Sequence, residues 1–488
     1  MDDYLKTYTN NSATPTGDSS TMIYSRISAR FTIAFLMGLL ALSSSTRPAF
    51  AADESARPNI IFILTDDQRA DAMGCMGNPV IETPELDKLA SEGHLFKNAF
   101  CTTAICMTSR ASFILGQYER RHHITSFRTP LTDEQINIAF PVLLREAGYY
   151  TGLVGKWGIG TKMPAEMFDD YRGFPGQGSY YPEGKKDQPG EHQTAKLAEK
   201  AVEFLEEVPT NRPFCLQIYT KAAHCQDQDH DDQFPADVKY DNQYADTVLP
   251  RSELLNEKYF QQLPDFLQNS ESRTRWHRRF NTEEKWNESV KNYYRLVSGI
   301  DELLGKVRQQ LEESGKADNS IIVFSSDHGF YLGERGLAGK WFIHEESIRI
   351  PMIIFDPRQP DSERGQVHDE MVLSIDVAPT IMDLAGVDAP ATVQGRSLIP
   401  ITKQEKVDWR HEFLYEHRFA HHAIPKSEGV RTEDWKYVRY IETEPVHEEL
   451  YNLKQDPLEV NNLVNNPESQ ADLNTMRDKL KKLDKELQ

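Results

Sequence analysis

A chain of 488 residues with 39% hydrophobic and 10% aromatic side chains can bury a large core, which excludes a small disulfide- or metal-stapled scaffold. Charged residues make up 27% of the chain and are spread along it rather than collected in tails, as in a folded enzyme. The formal net charge of −20 repels nucleic acid and anionic lipid alike, so no nucleic-acid partner is expected and an anionic substrate would need a locally basic pocket.

In chain order, the first feature is the apolar run FTIAFLMGLLAL at 31–42, preceded by Arg26 and Arg30 and followed by Ala49-Phe50-Ala51. It is too short to span a bilayer and reads as a secretory signal peptide, with Met22 an alternative start and cleavage expected after Ala51. Residues 1–51 are therefore assigned as leader and signal peptide. No later run reaches transmembrane length, so no membrane span is expected, and export would deliver a periplasmic or secreted protein.

From Pro58 onward, apolar runs bounded by turn residues alternate with stretches of helical period. NIIFIL, TGLVG, PFCLQIY, SIIVFS and PMIIF read as buried strands. TAKLAEKAVEFLEEV and SVKNYYRLVSGIDELLGKVRQQLEES space their apolar residues as helices do, the second ending at Gly315. This alternation predicts an α/β fold: a large mixed, mostly parallel sheet flanked by helices, assigned to a catalytic domain at 52–400. Within it, residues 226–288 are polar and aperiodic, an insertion expected to shape a substrate pocket. The short strand signals EFLYEH, KYVRYI and ELYNL, followed by a charged helix, predict a smaller C-terminal α+β subdomain with an antiparallel sheet at 401–488.

Polar residues follow several of these strands, where ligands of open α/β sheets bind. Asp66 and Asp67 follow NIIFILT, and Asp327 and His328 follow SIIVFSS. Three carboxylates and an imidazole suit a divalent cation; mostly oxygen donors favour calcium, with magnesium possible and manganese or zinc left open by His328. In CTTAICMTSRASFILGQY, Cys106 precedes Ser109 and Arg110 at a predicted helix start, where backbone N–H groups and a guanidinium favour an anion. The five cysteines (Cys75, Cys101, Cys106, Cys215, Cys225) are odd in number and lack C-x-x-C spacing, so at least one thiol is unpaired. Cys106 is the one to which a chemical use is assigned.

These residues together resemble the type I sulfatases of the alkaline-phosphatase-like superfamily, from about Arg57 to about Leu463. Members carry Cys-x-Pro-Ser-Arg, an apolar stretch and Gly; CMTSRASFILG matches at Cys106, Ser109, Arg110 and Gly116, with Thr108 in place of the proline. The resemblance implies that a sulfatase-maturing enzyme, which normally reads that proline, oxidises Cys106 to formylglycine (3-oxoalanine), and that Asp66, Asp67, Asp327, His328 and the modified Cys106 hold the metal. It also implies that Arg110, Lys156 in VGKWGIG and Lys340 in GLAGKWFIHEES contact the sulfate group. By the same resemblance His224 in TKAAHCQD protonates the leaving oxygen, and Lys221 is a further anion contact. Members commonly read Gly-Lys-Trp-His, where this chain has Gly158, and His122 or His123 is the expected substitute for the missing imidazole.

The implied activity is sulfuric ester hydrolysis. Within the insertion, RTRWHRRF gathers Arg273, Arg275, Arg278 and Arg279 around Trp276, a composition suited to a sulfated carbohydrate because aromatics stack on rings and guanidinium groups pair with anions. The rival readings are a phosphonate or phosphate ester hydrolase of the same superfamily and a non-catalytic glycan-binding homologue, the latter motivated by Thr108 and Gly158.

Overall fold

NIIFILT forms strand β1 (Asn59–Thr65), whose side chains feed two cores because successive residues of a strand face opposite sides. Ile60, Phe62 and Leu64 pack with Phe113 and Phe140 on one side. Ile61 and Ile63 pack with Phe204, Val297 and Leu304 on the other. The computed structural model describes residues 57–182, 188 and 191–487, so the signal peptide and the Ala51 cleavage site lie outside the described residues.

Around β1, strands β2 (His94–Phe96), β3 (Tyr150–Lys156), β4 (Asp170–Phe174), β5 (Phe214–Tyr219), β6 (Ser320–Ser326), β7 (Met352–Phe355) and β8 (Gln366–His368) complete an eight-stranded sheet. Its order is β8-β2-β7-β6-β1-β5-β3-β4. The run β6-β1-β5-β3-β4 is parallel, and β7 is antiparallel to both β6 and β2. The mixed, mostly parallel sheet expected from the sequence is present, and each of the five predicted strands lies in it. Strands β2, β4 and β8 are additional: β2 and β8 are three residues long, too short to show a period.

Among the helices are α1 (Cys106–Leu115), α2 (Gln193–Glu207), α3 (Glu271–Arg279), α4 (Glu283–Glu313) and α5 (Gln470–Glu486). Helix α4 begins six residues before the apolar period does, because Thr282 caps it by accepting from Lys285 N at 3.2 Å. It ends before Gly315, whose φ of +65° suits glycine. The region 226–288 contains, before α3, only helices of three to five residues, such as Glu253–Leu255 and Glu257–Gln261. Segments that short leave no readable periodicity.

Strands β9 (Glu412–His417), β10 (Ser427–Thr432), β11 (Trp435–Tyr440) and β12 (His447–Asn452) form a separate antiparallel sheet in that order. Helix α5 packs across β9, β10 and β11 through Leu473, Met476 and Leu480. Phe413 and Tyr415 point instead at the core beneath the eight-stranded sheet: Phe413 packs on Phe100 with ring centroids 5.2 Å apart, and Tyr415 donates to the Trp341 carbonyl at 2.7 Å. No helix among the described residues is long and apolar enough to cross a membrane. All five cysteines are free thiols.

Candidate active site

The carboxyl ends of four adjacent parallel strands converge on one place. Asp66 and Asp67 follow β1, Lys156 ends β3, Lys221 and His224 follow β5, and Asp327 and His328 follow β6; all are buried. The loop after β5 is zipped to β1 by two backbone bonds, Asp66 N to Ala222 O at 3.0 Å and Ala223 N to Asp66 O at 2.7 Å, which fixes His224 beside the carboxylates. Asp67 sits in the left-handed region at φ 58°, a conformation that Asp tolerates better than most residues. Tyr293 of α4 secures it by donating to the Asp67 carbonyl at 2.8 Å.

Helix α1 brings Cys106 and Arg110 into this cluster, with the chain extended at Ile105 and helical from Cys106. Ser109 Oγ donates to the Asp327 carbonyl at 2.5 Å. Arg110 then forks across the site: Nε to Asp327 Oδ2 at 3.0 Å, Nη2 to Asp66 Oδ2 at 3.1 Å and Nη1 to the Lys156 carbonyl at 2.8 Å. Lys156 Nζ also pairs with Asp66, and Lys340 Nζ lies 2.6 Å from Asp67 Oδ1.

The donor atoms of Asp66, Asp67, Cys106 and His328 lie within 4.8 Å of one another. Cys106 Sγ, which marks where a nucleophile at this position would start, is 3.4 Å from Asp66 Oδ1 and 3.4 Å from His328 Nε2. His328 Nδ1 donates to the Gly329 carbonyl at 3.0 Å, so in the neutral ring Nε2 is the bare nitrogen, free to ligate. Asp67 Oδ2 is buried without a hydrogen-bond partner, an oxygen that a cation would satisfy. Carboxylate oxygens and one imidazole nitrogen therefore fit a divalent cation, and the oxygen majority favours calcium or magnesium.

Charge balance shapes the titration of these groups. Burial alone would raise the Asp66 carboxyl, but Lys156, His224 and Arg110 hold it well below the usual range. Burial raises Asp67 despite the opposing pull of Lys340 and His328. The Cys106 thiol is pushed up by burial and by Asp66, so an unmodified thiol here is protonated and a poor nucleophile. Burial lowers Lys221 to about 8; its ammonium lies 5.0 Å from the Tyr180 ring centroid. His224 is lowered by burial and by Lys340; its Nδ1 donates to the Cys225 carbonyl at 2.6 Å and its Nε2 faces Asp67 Oδ2 at 3.7 Å.

Two sets of sequence expectations are corrected. His122 does not serve the site: its Nδ1 accepts from Ile124 N at 3.0 Å and its Nε2 bonds Ser112 Oγ at 3.1 Å, so both ring nitrogens are used in holding the turn after α1. His123 is an exposed C-cap residue at φ 57°. The arginine cluster is also mainly internal. Arg275 Nη1 lies 3.1 Å from Asp227 Oδ1, Arg279 pairs with the same carboxylate, and Arg273 is stacked 3.7 Å from the Phe260 ring centroid and 3.9 Å from that of the half-buried Trp276. Asp227, three residues past His224, turns these arginines into an anchor for the loop that carries His224.

Sequence reasoning missed Gln177, whose Oε1 accepts from Lys156 Nζ at 2.5 Å, and Asp227. It also passed over Gln68, which follows Asp67 directly and is buried with its side-chain amide unpartnered. Only Gln68 carried a signal, its place beside the acidic pair.

The chain is similar to known proteins along most of its length. The family described as Sulfatase matches residues 58–387, and the family described as N-sulphoglucosamine sulphohydrolase, C-terminal, matches 333–486. An N-acetylglucosamine-6-O-sulfatase of Bacteroides thetaiotaomicron is 30% identical over 90% of this chain and 88% of its own length. An arylsulfatase of Clostridium perfringens is 26% identical over 86% of this chain and 93% of its own. A solved structure of a protein in complex with its substrate D-glucosamine-2-N,6-O-disulfate superposes with a TM-score of 0.78 at 27% identity, covering 88% of this chain and 98% of that one. The phosphonate monoester hydrolase of Agrobacterium radiobacter shares the fold, with a TM-score of 0.75 at 21% identity over 88% of this chain and 96% of that one.

Proposed function

The chain belongs to the sulfatase family and is a sulfuric ester hydrolase of alkaline-phosphatase-like fold, and from that premise we propose that it removes sulfate from a sulfated oligo- or polysaccharide outside the cytoplasm, using a formylglycine made from Cys106 and a bound calcium ion. The observation that carries the reading is the convergence of Cys106, the carboxylates and four cations, Arg110, Lys156, Lys221 and Lys340, in one buried site of a chain whose net charge is −20. The relatives' printed substrates support a sulfated sugar.

Asp66, Asp67, Asp327 and His328 would hold the cation. A divalent cation with an aldehyde hydrate at residue 106 supplies an oxygen nucleophile of lowered pKa, which the high-pKa thiol cannot. Arg110, Lys156 and Lys340 bind the sulfuryl oxygens and neutralise charge that grows there as the ester bond breaks. Each is fixed by a carboxylate or carbonyl partner before substrate arrives, so little reorganisation is needed. In its protonated form His224 would donate from Nε2 to the leaving sugar oxygen; a bound anionic sulfate ester favours that form against the burial and the Lys340 charge that lower the ring, and the Nδ1 bond to the Cys225 carbonyl sets its orientation. Lys221, in the same loop as His224 and buried beside Tyr180, adds a further cation.

The test is mass spectrometry of the Cys106 peptide from protein co-expressed with a sulfatase-maturing enzyme, paired with turnover of an aryl sulfate and an aryl phosphonate. Aldehyde at residue 106 with sulfate turnover dominant is the expected result. Dominant phosphonate turnover would favour the related hydrolase activity, and unmodified cysteine without turnover would favour the glycan-binding reading.

A further inference from the structure

A side chain at position 158 would be strained: a Cβ there would lie 2.8 Å from Arg110 Cδ, and φ is +77°. With His122 and His123 committed elsewhere, an additional imidazole at the sulfate site has to reach it from another part of the fold.

His417, the last residue of β9, is fully buried, and neither of its ring nitrogens has a hydrogen-bond partner among the described residues. Strand register places Ser427 of β10 directly opposite His417, and Tyr440 of β11 directly opposite Ser427. Residues paired in this way project from the same face of an antiparallel sheet. Ser427 Oγ and Tyr440 OH are likewise buried and unpartnered. Burying a polar group without a partner costs free energy. Three of them side by side call for a polar partner, and an oxygen of a bound ligand is one that would complete them.

The face that carries this row rests on the catalytic domain. Tyr415, two residues before His417 and so on the same face, donates to the carbonyl of Trp341, next to Lys340. Glu416 N donates to the Thr102 carbonyl at 3.1 Å, four residues before Cys106, and the Thr102 hydroxyl is itself buried and unpartnered. Arg418 N donates to Glu119 Oε2 at 3.2 Å, just past α1. These bonds clamp His417 between the segments that deliver Cys106 and Lys340. Burial, with His328 adding to it, pushes the His417 imidazole down to about 3, so the ring is neutral with one N–H donor and one bare nitrogen.

Resting on the sulfatase reading above, we propose that His417 is a substrate-site residue delivered by the C-terminal sheet, its ring N–H donating to an oxygen of the bound sulfate group. The C-terminal sheet would thus complete the anion site as well as pack against it.

The experiment measures binding of inorganic sulfate to mature, calcium-loaded enzyme by calorimetry, for wild type, His417→Ala and His417→Gln, together with ¹⁵N spectra of histidine-labelled wild type. His417→Ala is expected to weaken sulfate about tenfold, equivalent to about 1.4 kcal/mol, while His417→Gln, which keeps a donor, recovers most of it. The ring resonance of His417, identified by its loss in His417→Gln, is expected to move on sulfate addition. Equal sulfate affinity in wild type and His417→Ala, or an unmoved resonance, would overturn the inference and leave the sulfatase reading intact. If His417→Ala does not fold, the wild-type spectrum decides. Failure of the wild type to bind sulfate at all would overturn both.

Discussion

Arg110 Nε and Asp327 Oδ2 lie 3.0 Å apart in a contact wholly closed to solvent, joining the helix that carries Cys106 to the end of β6. The same guanidinium reaches Asp66, so one side chain offsets two buried carboxylates. Removing it leaves both charges underneutralised, a cost of about 3–5 kcal/mol for a broken buried pair. Arg110→Ala is expected to lower the melting temperature in chelator and to abolish sulfate-ester turnover. Calcium should restore more of the melting temperature in the variant than it adds to wild type, because the ion supplies positive charge that the lost guanidinium had supplied. Scanning calorimetry with calcium and with chelator measures both.

Restoring the histidine common in the family should harm this enzyme. Gly158→His must place a Cβ 2.8 Å from Arg110 Cδ at a positive φ that non-glycine residues rarely adopt. Displacing Arg110 would disturb its bonds to Asp66 and Asp327 together. A loss of at least about 1 kcal/mol in stability is expected, with turnover falling rather than rising. Higher turnover in Gly158→His would show that Arg110 yields and that the site has room for an imidazole there.

The arginines of α3 give a prediction opposite to the one their composition suggests. As a sugar-binding surface, Arg275 would matter for a polymer and not for a small substrate. Paired instead with Asp227, three residues past His224, it should matter for both. Asp227→Asn strips the counter-charge from buried Arg275 and Arg279, and a cost of about 3 kcal/mol is expected. The readout is kcat for an aryl sulfate, which should fall along with kcat for the polymer; an unchanged aryl sulfate kcat would separate the network from His224.

Buried neutral histidines make the fold acid-sensitive, and His122 isolates one share. Burial, aided by His123, lowers it to about 3 from an ordinary 6.5. Because the folded-state value is depressed, the neutral ring's full contribution is present above about 6.5; as pH falls, the unfolded chain takes up a proton that the folded chain refuses. By pH 5 this amounts to about 2 kcal/mol of lost stability. His122→Gln should show a shallower decline between pH 7 and pH 5, measured by urea unfolding at each pH.

Much of this site was legible because the chemistry sits where strands end. Asp66, Asp67, Asp327 and His328 could be placed by recognising two buried strands, and Cys106 and Arg110 by one helix start. Lys156, Lys340 and His224 needed the family resemblance, since a lone lysine or histidine carries no spacing of its own. The residues that escaped, Asp227, Gln177 and His417, reach the site from loops or from the other sheet, through contacts between positions far apart in sequence. The arginine cluster misled for the same reason: composition showed four cations around an aromatic, whereas their carboxylate partner lies some fifty residues upstream. Short strands such as β2 and β8 are formed by tertiary pairing and leave no period to read.

Thr108 offers the last prediction, which concerns maturation rather than turnover. It occupies the third position of α1, within the first turn, where backbone N–H groups have no intrahelical acceptor and proline is tolerated. Its hydroxyl donates to the Ile124 carbonyl at 2.7 Å, a neutral bond worth about 1 kcal/mol. Thr108→Pro therefore costs the folded protein that bond and little else, while restoring the residue that the maturing enzyme normally reads in sulfatases. The variant is expected to show a higher fraction of aldehyde at residue 106 by mass spectrometry of the tryptic peptide, and a melting temperature a few degrees lower. Turnover per aldehyde should be unchanged, because Thr108 touches none of the carboxylates or cations of the site. An aldehyde fraction equal to that of wild type would mean that threonine is read as well as proline; a fall in turnover per aldehyde would mean that the Thr108 bond to Ile124 helps to hold Cys106 in register with Asp66 and His328.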